Sequence, residues 1–182
     1  ILNYAFQNCY SLVNIDIPNT VHHIGNNAFS GCSKLESITL PFVINKLSYI
    51  FNDVPNSLKT VVISKADKID NDAFFGCVYI ENLTLPYSVN LRNVFGSSFI
   101  PNLNLKNVVI TGGDSVLVSA FAECVSIESI TLPDSITNIE DSAFKGCTGL
   151  TEIIIPANVT EIGGSAFREC SGITEINIPA SV

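Results

Sequence analysis

The chain has 182 residues, 47% of them hydrophobic and only 14% charged, with a net charge of −8. This balance supplies a core and excludes an extended disordered polymer. It also argues against a nucleic-acid partner, which needs a basic stripe. No run of 18 or more apolar residues occurs, the densest stretch being Ala73 to Ile80, so no segment is long enough for a spanning helix and no membrane insertion is expected.

In chain order, residues 1–16 read as the second half of a unit, since Ala5-Phe6, Cys9 and Leu12 match the later ones. Seven full units follow at 17–39, 40–62, 63–84, 85–109, 110–131, 132–154 and 155–177, and residues 178–182 open another. Their lengths, 22 to 25 residues, mark a repeat solenoid. The expectation is one solenoid domain over 1–182. Neither end shows the polar cap that a free solenoid needs, so a piece of a longer array is expected.

Each unit closes with a segment such as Leu35-Glu-Ser-Ile38-Thr-Leu40-Pro41. Ile38 and Leu40 alternate with Ser37 and Thr39, which predicts a strand with one buried face. The proline cannot donate to a ladder and ends the strand. A shorter apolar pair follows, as in Ile136 and Ile139 or Val159 and Ile162. Then comes a 3₁₀ or helical turn carrying Ala-Phe and Cys, as in Ala166, Phe167 and Cys170. Stacking the units lays identical strands side by side in a parallel sheet, about 4.8 Å apart. Seven rows therefore span roughly 35 Å.

Two units depart from the pattern. In 40–62, Ile50-Phe51 replaces Ala-Phe and Val54 stands where Cys would. In 85–109 no Cys is present, and either Val94-Phe95 or Ser98-Phe99 answers to Ala-Phe. Each is followed by a 22-residue unit lacking the proline, so 40–84 and 85–131 read as two copies of a double unit. Loops inserted on one side of a solenoid are often its binding side, which makes Phe95 and Phe99 a candidate insertion loop.

The pattern Leu-x-x-Ile-x-Ile-Pro…Val-x-x-Ile-Gly-x-x-Ala-Phe-x-x-Cys resembles the BspA-like class of leucine-rich repeats. The likeness covers essentially the whole chain. Its most specific positions are Ala28-Phe29/Cys32, Ala73-Phe74/Cys77, Ala120-Phe121/Cys124, Ala143-Phe144/Cys147 and Ala166-Phe167/Cys170. The resemblance implies a curved, right-handed leucine-rich-repeat superhelix, export to the cell surface, and adhesion to host or microbial surface proteins or glycans. The family motif names core positions, so it transfers no functional residue.

The six cysteines, from Cys9 to Cys170, fall at one repeat position. In-register side chains point the same way, so buried free thiols are expected rather than disulfides. Thiolates in a line cannot make a tetrahedron, and His22 and His23 on extended backbone face opposite ways, so no metal is expected. Asp67, Asp70 and Asp72 lack the glycine and bidentate glutamate of a calcium loop. No nucleophile, base or cofactor set stands out, so neither an enzyme nor a cofactor protein is expected. Asn82-Leu-Thr84 and Asn158-Val-Thr160 are glycosylation sequons in a eukaryotic setting only.

The outward strand positions form two columns. One runs Asn14, Ser37, Thr60, Asn82, Asn107, Ser129, Glu152, Glu175; the other runs Asp16, Thr39, Val62, Thr84, Val109, Thr131, Ile154, Asn177. Both lack long flexible cations. Short hydroxyls, amides and β-branched residues make a flat surface suited to protein or glycan contact. The same residues also satisfy strand propensity with no ligand in view. The preferred function is a non-catalytic binding module on Ser37 to Ile154 of these columns. The alternative is a rigid stalk that displays another domain at the envelope.

Overall fold

In the computed structural model, residues 1–42, 46–66, 68–96 and 104–182 are described. Strands β1 (Asn14–Asp16), β2 (Ser37–Leu40), β3 (Thr60–Ile63), β4 (Asn82–Leu85), β5 (Asn107–Ile110), β7 (Ser129–Thr131) and β9 (Glu152–Ile153) form one sheet in that order. All neighbours pair in parallel, with Asn14, Ser37, Thr60, Asn82, Asn107, Ser129 and Glu152 in a single row across it. Strands β6 (Ser115–Val116), β8 (Asn138–Ile139) and β10 (Glu161–Ile162) make a second parallel sheet, ordered β10-β8-β6. It is built from the second apolar segment of the units 110–131, 132–154 and 155–177. The fold is a solenoid of stacked units with little helix.

The proline after each strand has a visible consequence. Units that lack it extend the ladder by one rung: the Ser64 amide donates to the Leu40 carbonyl at 2.9 Å, and the Thr111 amide to that of Leu85 at 2.9 Å. Pro41, Pro86 and Pro133 have no N–H to offer there.

The Ala-Phe-Cys turn is a run of i→i−3 bonded turns. In one unit Ala143 donates to Glu140, Lys145 to Ser142, Cys147 to Phe144 and Leu150 to Cys147. Two left-handed residues shape it, one before Ala and one before Cys. The first is Tyr4, Asn27, Asp72, Ser119, Ser142 or Ser165; the second is Asn8, Gly31, Gly76, Glu123, Gly146 or Glu169. Carbonyls turned outward by this geometry accept from the preceding unit. Phe121 donates to Ala143 and Phe144 to Ala166, both at 2.8 Å. The turns thus carry their own axial ladder, opposite in role to the sheet but built on the same stacking.

Between these ladders lies the core. Phe29, Phe51, Phe74, Phe121 and Phe144 are fully buried, and phenylalanines of adjacent units meet in the runs Phe6–Phe29–Phe51, Phe74–Phe95 and Phe121–Phe144–Phe167, together termed the Phe column. Phe121–Phe144 and Phe144–Phe167 stack at 5.3 and 5.0 Å between centroids. Each cysteine lies beside this column. The thiols of Cys32, Cys147 and Cys170 donate to the carbonyls of Phe6, Phe121 and Phe144 at 3.2, 3.0 and 3.0 Å. A small apolar side chain with one weak donor meets this geometry, and the six thiols are free.

The two irregular units replace the turn with a helical one, α1 (Ser48–Phe51) and α2 (Leu91–Phe95). The axial bond then leaves from the start of the helix: Leu47 donates to the Ala73 carbonyl at 2.7 Å and Leu91 to that of Ala120 at 2.9 Å. The register of 85–109 is resolved by Phe74, whose amide donates to the Val94 carbonyl. Val94-Phe95 therefore occupies the Ala-Phe position, while Ser98-Phe99 lies outside the described residues. The Phe column continues through Phe29–Phe51 and Phe74–Phe95 with rings tilted by 41° and 37°.

Candidate functional site

The outward face of the large sheet carries three axial stripes. The first precedes the strands and alternates in charge: Glu36, Lys59, Glu81, Lys106, Glu128. Their backbones are locked in sequence, Lys59 donating to Glu36, Glu81 to Lys59, Lys106 to Glu81 and Glu128 to Lys106. Lys59 pairs with Glu81 at 3.0 Å and Lys106 with Glu128 at 3.3 Å. The stripe is close to neutral along its length. Sequence reasoning missed it, although one more column of the same alignment would have revealed it.

The second stripe is the first outward column. The Asn82 amide donates to the Thr60 hydroxyl at 3.3 Å, the Asn107 amide to Asn82 Oδ1 at 2.8 Å, and the Ser129 hydroxyl to Asn107 Oδ1 at 2.8 Å. Four adjacent strands thus share one directional chain of side-chain hydrogen bonds. Ser37, one strand away, is half-buried, and Glu152, beyond the other end, is exposed.

The third stripe is the second column. Val62, Thr84 and Val109 are half-buried neighbours on β3, β4 and β5, and Thr131 on β7 is exposed. Thr39 donates to Asp16 Oδ1 at 2.6 Å. Ile154 is 75% exposed and lies one residue past β9. Val62 and Val109 are therefore less exposed than flat-surface reasoning expects, because strands on both sides cover their flanks. All twelve residues of the candidate face lie on this side of the sheet, and the β3–β4–β5–β7 rows hold its best-ordered part.

The candidate insertion loop is represented by Phe95 alone. Its ring packs against Phe74 at 5.5 Å and belongs to the core column; Phe99 lies outside the described residues. The acidic cluster reduces to Asp70, paired with Lys68, and Asp72, 3.7 Å from Lys46; Asp67 too lies outside the described residues. His22 and His23 are exposed. Asn82 is engaged in its ladder, and the Asn158 amide donates to the Asp134 carbonyl. Burial pushes the Cys77 and Cys124 thiols up to about 12, and Cys147 higher still. Such thiols are poor nucleophiles and poor metal ligands at neutral pH. Among the described residues no cluster of metal-ligating side chains occurs, and no helix is long and apolar enough to cross a membrane.

A family model described as "BspA type Leucine rich repeat region (6 copies)" matches residues 1–118 and 114–182. No curated protein matches the chain. A leucine-rich repeat protein from Bacteroides ovatus is 31% identical, over 98% of this chain and 52% of that one, with a TM-score of 0.48. A leucine rich cell surface protein from Faecalibacterium prausnitzii is 31% identical, over 97% and 41%, with a TM-score of 0.44. The pneumococcal vaccine antigen PcpA is 22% identical, over 94% and 52%, with a TM-score of 0.45. The chain spans about half the length of these three structures or less.

Proposed function

The chain belongs to the BspA-type leucine-rich-repeat family, and from that premise we propose that it is a non-catalytic binding module of a cell-surface, adhesin-type protein. Its ligand is a surface protein or glycan, held on the outward face of the large sheet. The observation that carries this reading is the side-chain chain from Thr60 to Ser129, set beside Val62, Thr84 and Val109. A stalk has no use for an ordered, uncharged and uncovered surface. A binding face gains from one, because side chains already fixed lose little entropy when a partner arrives.

The test is binding of the chain to arrayed extracellular-matrix proteins and glycans. Saturable binding that Thr84→Lys and Val109→Lys abolish, with thermal melting unchanged, supports the face. Binding that survives both substitutions removes the sheet from consideration. No binding to any surface favours the stalk.

A further inference from the structure

Resting on that reading, we propose that the β3–β4–β5–β7 face takes an uncharged, extended β-1,4-linked glycan laid along the solenoid axis, one sugar per strand. The occupant is argued from charge, register and hydrogen-bonding inventory.

The two outward columns carry no ionised group on these four strands, from Thr60 and Val62 to Ser129 and Thr131. The neighbouring charged stripe neutralises itself through Lys59–Glu81 and Lys106–Glu128. A sulfated glycan or a strongly charged peptide would lose hydration here and find no counter-charge.

Register separates a glycan from a polypeptide. The rows repeat about every 4.8 Å, whereas an extended peptide advances about 3.3 Å per residue and shows one face every second residue. A peptide running along the axis therefore falls out of step within a few rows. It would also leave its own backbone groups unpaired on a sheet face, since peptides add to sheets at edges. One pyranose of an extended β-1,4-linked chain is close in length to one strand spacing, so successive rings meet successive rows, with alternate rings turned over and the same hydroxyl edge returning at every second row.

The inventory fits polyols. Asn82 and Asn107 each commit one amide hydrogen and one Oδ1 lone pair to the ladder, which leaves one donor and one acceptor on each. Sugar hydroxyls both donate and accept, so they match mixed sites. The methyl groups of Val62, Thr84 and Val109 lie alongside for the C–H faces of the rings. The ladder holds its amides in place before any ligand arrives.

The experiment is calorimetric titration of the 182-residue chain with cello-oligosaccharides from cellobiose to cellohexaose, at low and high salt. Affinity should rise through four sugars, level off, and be indifferent to salt. Asn82→Ala with Asn107→Ala should weaken cellohexaose on the order of tenfold or more. Glu161→Gln, exposed on β10 of the second sheet, should leave binding unchanged, and melting curves should show every variant folded. If cellohexaose does not bind, or binds the double variant equally well, the glycan assignment is overturned. So it is if heparin binds more tightly than cellohexaose. Matrix-protein binding that Thr84→Lys still abolishes, with no cellohexaose binding, would overturn this inference and leave the proposed function standing.

Discussion

Gly146 sits in the left-handed region at φ 73°, and a Cβ built on it would lie 2.7 Å from the Glu123 carboxylate of the preceding unit. The left-handed backbone favours glycine there, although Asn8, Glu123 and Glu169 adopt the same conformation in other units, and the Glu123 carboxylate is the mobile end of a side chain that can move aside. Gly146→Ala is expected to cost about 1–2 kcal/mol for the conformation alone, read as a lower urea midpoint at unchanged slope. Buried thiols act through pH instead. Unfolded cysteines ionise near 9.0, but Cys77 and Cys124 do so only near 12 in the fold, because burial disfavours the thiolate. The folded state thus holds its protons longer than the unfolded one. The stability this represents is intact below about pH 9 and is lost as pH rises towards 12. Melting temperature should fall across that window, and fall less steeply in a Cys77→Ala, Cys124→Ala double variant. Equal slopes in the two proteins would show that these thiols do not govern the alkaline limb.

At the scale of the element, the strand end is the simplest place to test what the proline does. Ser64 stands where regular units have proline, and its amide makes one extra rung to Leu40. Ser64→Pro removes that bond together with the Ser64 hydroxyl's bonds to Asn19 Oδ1 and the Leu40 carbonyl, so it should cost about 1–3 kcal/mol. Val61→Pro, in the middle of β3, should destabilise far more by breaking the ladder inside the sheet; circular dichroism melts distinguish the two results. The strands, their row and the faces they turn out were legible because a period of 2 inside a period near 23 leaves one register. The Phe column and the single cysteine position were legible for the same reason. The two left-handed residues of each turn were not. Ser142 and Tyr4 adopt the same backbone as Asn27, and only the stacked neighbour imposes it. Helices α1 and α2 were hidden because LSYIF and LRNVF look like variants of Ala-Phe rather than a different turn. On the candidate face, the membership of the columns could be read from spacing. Which amide bonds to which could not, since that depends on rotamers chosen jointly by Thr60, Asn82, Asn107 and Ser129.

The molecule as a whole is held by contacts between adjacent units: every strand pair joins neighbouring rows, β1 with β2 through β7 with β9. Stability is then close to a sum of unit terms and interface terms, and damage should stay near where it is made. Leu83 is the test position, buried to 1% exposure on β4 in the middle of the large sheet. Leu83→Ala should cost about 2–5 kcal/mol by deleting buried carbons and leaving a cavity. In a protein with one indivisible core, that loss would lower the protection of all of the slowest-exchanging amides together. In this solenoid the large loss should appear in β3, β4 and β5. The Phe144 and Gly146 amides, bonded at 2.8 Å to Ala166 and Arg168, should exchange almost as before. Those two bonds lie in rows that share no strand pairing with β4. Hydrogen exchange read by mass spectrometry on peptides from 58–85 and 143–168 separates the alternatives. A uniform loss across both peptides would mean that the Phe column and the two ladders couple the units into a single cooperative body.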